Sequence, residues 1–227
     1  MNSLCDSIYA AATGQENAES KPELHRTDFA GKILLVGAST GGVAAIETLL
    51  DSFGTSIIPP IVIAQHMPDQ YLQSFARRLD RMGVHDVKLS NNGMRLEPGH
   101  NRIARSQDHQ TGVAWHGNAW HIQEIARQPD QTYCPSVDVL FASAVPWADR
   151  VGAIILTGLG NDGAKGMLSL RRQGARTLAQ SKESCVVYGM PGAASSMDAS
   201  ESEAPIERIG AEILSLMSQK QSNVKTR

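Results

Sequence analysis

Three short apolar runs without a polar break constrain this chain more than any other feature: Ile33-Leu34-Leu35-Val36, Ile61-Val62-Ile63-Ala64 and Val151-Gly152-Ala153-Ile154-Ile155-Leu156. A strand with one face in water alternates polar and apolar residues, so an unbroken run of this length is the mark of a strand buried on both faces. Each run leads through a small-residue or proline turn into a helical pattern. Ala44, Ile46, Leu49, Leu50 and Phe53 fall at helical spacing after the first. After the second, Asp69 is expected to N-cap a helix carrying Tyr71, Leu72, Phe75, Leu79 and Met82. After the third, a helix is expected near residues 164–173, and Val186 and Val187 are expected in a late strand. Strand, turn, helix, strand, repeated, predicts right-handed crossovers. The expected fold class is α/β: three layers, a doubly wound, mostly parallel sheet with helices on both faces.

One stretch departs from this rhythm. Val113 to Ile122 reads as a β-hairpin with Gly117-Asn118 as its two-residue turn. That register sets Trp115 opposite Trp120 and Val113 opposite Ile122, a face made for packing against the domain.

A length of 227 residues allows one substantial core. Residues 1–30, rich in Ala, Ser, Glu, Thr and Asn without a sustained apolar period, are expected to be a flexible tail or linker, 31–218 the folded domain and 219–227 a polar C-terminal tail. Lys plus Arg number 21 against 23 Asp plus Glu, a formal charge of −2, so the basic excess of a nucleic-acid binder is missing. No run of about 18 apolar residues predicts a membrane span, and the N-terminal residues lack a secretory pattern. Cys5, Cys134 and Cys185 form no C-x-x-C pair, in keeping with a reducing, cytoplasmic setting.

The first strand runs into Gly37-Ala38-Ser39-Thr40-Gly41-Gly42, a G-x-S-x-G turn that opens a helix. Small neighbours let such a turn tighten until the serine hydroxyl stands where a carbonyl can reach it, and the amides that follow face a developing oxyanion. The same glycine pattern also cradles phosphates in dinucleotide-binding folds. That reading wants an acidic residue at the end of the next strand, where this chain has Ala64-Gln65-His66. His66 instead ends the second strand, at the carboxyl edge it shares with Ser39. Asp162 follows the third run in Thr157-Gly-Leu-Gly-Asn-Asp-Gly163, placed either as a plain turn residue or as the carboxylate that orients the imidazole. Thr40 and Leu159, neighbours of Ser39 and Asp162, are candidates for substrate or oxyanion contacts. His100, His109, His116 and His121 lack metal-ligand spacing, so neither a metal nor an organic cofactor is expected.

The motifs Gly37-Ala-Ser-Thr-Gly-Gly42, Gln65-His-Met-Pro68, Pro135-Ser-Val-Asp-Val-Leu-Phe141, Ile155-Leu-Thr-Gly-Leu-Gly-Asn-Asp-Gly163 and Ser184-Cys-Val-Val-Tyr-Gly-Met-Pro191, in that order, resemble the CheB-type protein-glutamate methylesterase domain over about residues 32–197. The resemblance implies a doubly wound α/β fold, Ser39 as nucleophile, His66 as general base and Asp162 as its partner. It further implies methyl-ester hydrolysis, with glutamine deamidation as a companion activity, on chemotaxis receptors. A separate response-regulator protein is a second implied partner, because family members usually carry a receiver domain ahead of the esterase. A non-catalytic adaptor that keeps the fold is the alternative. Three segments depart from the family's usual pattern: Cys134 stands where many relatives have Arg, Arg105-Ser106-Gln107 where they tend to read Pro-Gly-Asp, and Asp198 where a glycine is often found.

Overall fold

The structure, a computed structural model, describes residues 29–219 apart from 55, 57, 84, 85, 106, 107 and 130. Of the tails expected at 1–30 and 219–227, residues 1–28 and 220–227 lie outside the described residues; Phe29, within the first, is buried rather than part of a flexible tail. The three apolar runs form β1 (Ile33–Ala38), β2 (Ile61–Gln65) and β8 (Val151–Ile155), the middle of a seven-stranded sheet. Between β2 and β8 the chain makes β3 (Asp86–Leu89), β4 (Arg95–Leu96), β5 (His100–Ile103), β6 (His109–His116) and β7 (Ala119–Ala126). After β8 come β9 (Arg176–Gln180) and β10 (Ser202–Ala204). The sheet order is β10-β9-β8-β1-β2-β5-β3, with every paired neighbour parallel. Among the described residues, six α-helices cover it: α1 (Gly42–Ser52), α2 (Asp69–Asp80), α3 (Val137–Ser143), α4 (Ala164–Arg172), α5 (Met190–Ser196) and α6 (Ile206–Ser218).

The two-sided burial that the runs imply is visible residue by residue. Leu34, Val36, Ile61, Ile63, Ile154 and Leu156 pack in one core with α1, α2 and α6. Their neighbours Ile33, Leu35, Val62, Ala64, Ala153 and Ile155 pack in a second core with α3, α4, α5 and the hairpin. Alternate side chains of one strand point to opposite faces, so a central strand must be apolar at every position. Phe29, ahead of β1, is already buried in the first core.

The hairpin forms in the expected register, with Trp115 opposite Trp120 and Val113 opposite Ile122. Gly117 and Asn118 both take positive φ, 55° and 59°, as a two-residue turn of this kind requires. The hairpin is longer than its central signal and pairs with β4 into a three-stranded antiparallel sheet.

Three expectations need correction. Val186 and Val187 form no strand; Val186 is 71% exposed, and the late strands are β9 and β10. Asp69 is the first residue of α2 rather than its cap, which is Pro68. Tyr71 and Met82 do not join the buried face of α2, which consists of Leu72, Phe75, Ala76 and Leu79.

Asp198 sits at φ 55°, just past the end of α5. The Ala199 amide bonds back to Ala194 O at 2.8 Å, closing the left-handed helix ending that usually takes glycine. Arg171 bonds the Asp198 carbonyl and, at 2.7 Å, its exposed carboxylate. A left-handed backbone costs most L-residues about 1–2 kcal/mol, less for Asp; an exposed ion pair returns about 0–1 kcal/mol. Asp198→Gly is therefore expected to stabilise by about 0.5 kcal/mol, a rise of about 1–2 °C in Tm by thermal melting. A fall of similar size means that the Arg171 contact outweighs the backbone term.

Candidate active site

The strand order reverses at β1, with β2 on one side and β8 on the other. Ligand crevices of open α/β sheets form outside the carboxyl ends of the strands at such a point. Ser39 follows β1, His66 follows β2 and Asp162 lies in the turn after β8. The His66 amide donates to Ala38 O at 3.0 Å, so serine and histidine leave adjacent strands side by side.

The serine turn is tied on both flanks. Ser39 N donates to Thr157 O at 3.0 Å, while Ser39 O accepts from Gly42 N at 2.8 Å and from Gln65 Nε2 at 3.0 Å. Thr157 Oγ1 donates to Thr40 O at 2.9 Å. Gly41 takes φ 82°, and a Cβ there would stand 2.7 Å from Val186 Cβ; a Cβ on Gly42 would meet Gln65 Oε1 at 2.1 Å. These glycines make room for the protein's own side chains. Their close approach to Val186 and Gln65 accounts for the glycine pattern without a bound phosphate.

Asp162 is buried and accepts four hydrogen bonds. His66 Nε2 lies 2.8 Å from Oδ2, and Val137 N donates to the same oxygen at 2.7 Å. Ser136 Oγ and Asp138 N each reach Oδ1 at 3.0 Å. Asp162 thus sits on the N-terminus of α3, where unpaired amides and the helix dipole favour an anion. Burial pushes its carboxyl upward, but the bonds from His66 and from the Asp138 and Val137 amides outweigh it and hold the group below the ordinary carboxylate range.

The arrangement is reciprocal. Asp138, in the first turn of α3, accepts from Gly166 N at 2.7 Å at the start of α4. Burial first, and then the Asp162 charge, raise the Asp138 carboxyl. Each helix start therefore receives a carboxylate from the other's neighbourhood. Gly37 and Val137 set the spacing: a Cβ on Gly37 would fall 2.2 Å from Val137 Cγ1. Gly37→Ala is expected to cost about 1–3 kcal/mol through overpacking, read as a lower denaturant midpoint. It should also lower activity, because Val137 cannot retreat without moving its amide off Asp162. Unchanged stability would mean that α3 shifts freely.

The imidazole is shielded, with 10% of its side-chain surface exposed. Its Nδ1 is buried without a hydrogen-bond partner among the described residues, so the Ser39 hydroxyl does not bond it in this rotamer. The Asp–His half of the expected chain is formed and the Ser–His half is open. Such contacts are often long before substrate binds. Tyr133 stacks flat on the ring, centroids 4.3 Å apart and planes within 3°. Sequence reading passed over Tyr133 because a loop tyrosine carries no periodic signal. It also left Ser136 and Val137 as part of a motif without a role; their contact with Asp162 spans about 25 residues and has no local trace. Thr40 is exposed, and Leu159 is 68% exposed beside Asp162. Neither is in a contact that assigns it a task. Among the described residues no group of three or more His, Cys, Asp and Glu is placed to hold a metal.

Comparison with known proteins shows the family and the fold. The family model for the CheB methylesterase matches residues 34–213. A protein-glutamate methylesterase/protein-glutamine glutaminase of Rhizobium etli is 41% identical over 94% of this chain and 63% of its own length. The protein of the same name, numbered 1, from Caulobacter vibrioides is 40% identical over 93% of this chain and 62% of its own. The chain spans between about half and two thirds of the length of the curated relatives it matches. The crystal structure of the Thermotoga maritima CheB methylesterase catalytic domain superposes with a TM-score of 0.77 at 30% identity, covering 82% of this chain and 98% of that one.

Proposed function

The chain belongs to the CheB methylesterase family, and on that premise we propose that it hydrolyses methyl esters of glutamate side chains on chemotaxis receptors, and glutamine amides in the same site, through an acyl-enzyme on Ser39. The observation that carries the reading is the His66–Asp162 pair, 2.8 Å apart at the strand edge where Ser39 emerges. A buried carboxylate holding one ring nitrogen leaves the other, Nδ1, as the base.

Ser39 Oγ attacks the ester carbonyl while its proton passes to His66 Nδ1. The ring becomes an imidazolium opposite the Asp162 carboxylate. The tetrahedral oxyanion is assigned to the amides that open α1 near Thr40 and to the loop bearing Leu159. The C–O bond to the methoxy group then breaks, and His66 returns its proton to the departing methanol. Water, deprotonated by the same nitrogen, opens the acyl-enzyme and leaves a free carboxylate on the receptor. With a glutamine side chain the leaving group is ammonia.

The catalytic unit assigned by this reading is residues 31–218, acting in the cytoplasm; among the described residues no helix is long and apolar enough to cross a membrane. A separate response-regulator protein is the proposed regulatory partner. The test is methanol release from methylated receptor, followed with time and enzyme concentration. Release at the rate of the buffer blank would overturn the proposal and favour the adaptor reading.

A further inference from the structure

We infer that Tyr133 is a positioning residue for ester cleavage, holding the His66 imidazole by its face as Asp162 holds it by its edge. The inference rests on the reading of His66 as the base. A ring anchored at one nitrogen still pivots about that bond. The tyrosine ring lies parallel to it at a centroid distance of 4.3 Å, which blocks the pivot and keeps Nδ1 directed to one side. The charge that forms when His66 accepts the serine proton also lies against an aromatic face, where a cation is favoured.

The contact is built from the core outward. Gln110 on β6 is fully buried. Its amide nitrogen donates to Tyr133 O at 2.7 Å and to Gln131 Oε1 at 3.1 Å, and its Oε1 accepts from Ser136 N at 2.8 Å. A buried amide with its donors and acceptor engaged has no alternative partners to move to. Gln110 therefore sets the spacing between Tyr133, which covers the imidazole, and Ser136, whose hydroxyl bonds Asp162. One short loop, clamped by the antiparallel sheet, delivers contacts to both His66 and its carboxylate partner. Tyr133 is itself 37% exposed, so its ring can be changed without opening the core.

The experiment compares Tyr133→Leu, Tyr133→Phe and Tyr133→Trp in the full chain. It reads kcat and KM for methanol release, the rate at which a fluorophosphonate probe labels Ser39, and Tm. The leucine variant should lose about 10- to 100-fold in kcat and in labelling rate, part of what a general base supplies, with KM within about threefold. Phenylalanine and tryptophan, which keep a flat ring, should restore both rates to within about threefold of the wild type. Wild-type rates in the leucine variant, a loss confined to KM, or a phenylalanine variant as slow as leucine would each overturn the inference. Wild-type protein that labels at Ser39 yet releases no methanol from receptor would refute the receptor reading alone, and the labelling rates would still decide the role of Tyr133. Wild-type protein that does not label would remove the activated serine, and this inference with it.

Discussion

Ser39→Ala is expected to lower methanol release by about 10⁶-fold, the loss seen when the nucleophile is removed from other serine triads. Tm should stay within about 1–2 °C of the wild type, since the hydroxyl carries none of the turn's bonds. The turn is held by backbone: Ser39 N to Thr157 O, and Ser39 O from Gly42 N and Gln65 Nε2. Alanine keeps all three. The variant therefore separates chemistry from folding, and fluorophosphonate labelling should vanish with the turnover. Retention of more than about 1% of the wild-type rate would assign the nucleophile elsewhere.

Asp162→Asn should lower kcat by about 10⁴-fold, as for the equivalent change in other triads, because an amide presents the wrong partner to the imidazole. Here the change should also weaken the fold. Asp162 accepts from His66, Val137 N, Ser136 Oγ and Asp138 N, two donors on each oxygen. Asparagine keeps one acceptor oxygen and turns two N–H groups toward the other pair. Each buried donor left without an acceptor costs about 1–3 kcal/mol, and the anion at the start of α3 contributes about 0.3–2 kcal/mol more.

The pH dependence has a definite sign. Asp162 is held below its ordinary value in the folded state, so its stabilisation is present above the unfolded pKa of about 3.9 and is lost as pH falls through the lower, folded value. Asp138 acts oppositely: its carboxyl is raised, so protonating it as pH falls relieves a cost. The stability gap between wild type and Asp162→Asn, measured by urea unfolding, should be widest near neutrality and shrink below about pH 4. A gap independent of pH would show that the lost charge is not what destabilises the variant.

What could be read along the chain was whatever short-range patterning encodes. Unbroken apolar runs fix β1, β2 and β8 because a strand buried on both faces has no polar position. Gly117-Asn118 marks its turn because its backbone requires positive φ. Ser39, His66 and Asp162 could be singled out because each follows such a strand, and parallel strands gather their carboxyl ends along one edge. β3, β5, β9 and β10 were missed: they are short and carry polar residues such as Asn101, Arg102 and Gln180, buried through partners distant in sequence. Val186-Val187 looked like a strand from β-branched composition, yet among the described residues the segment makes only one isolated bridge, between Gly158 and Tyr188.

The sequence by itself determined the layered parallel sheet and the three chemical groups at its edge, because periodicity and turn chemistry act over a few residues. Only the tertiary structure decided what holds those groups: the start of α3 under Asp162, Val137 against Gly37, and Gln110 clamping the loop that lays Tyr133 on His66. Each of these joins residues that are remote along the chain, and hydrogen bonding and close packing depend on distance in space, which no local pattern of residues records.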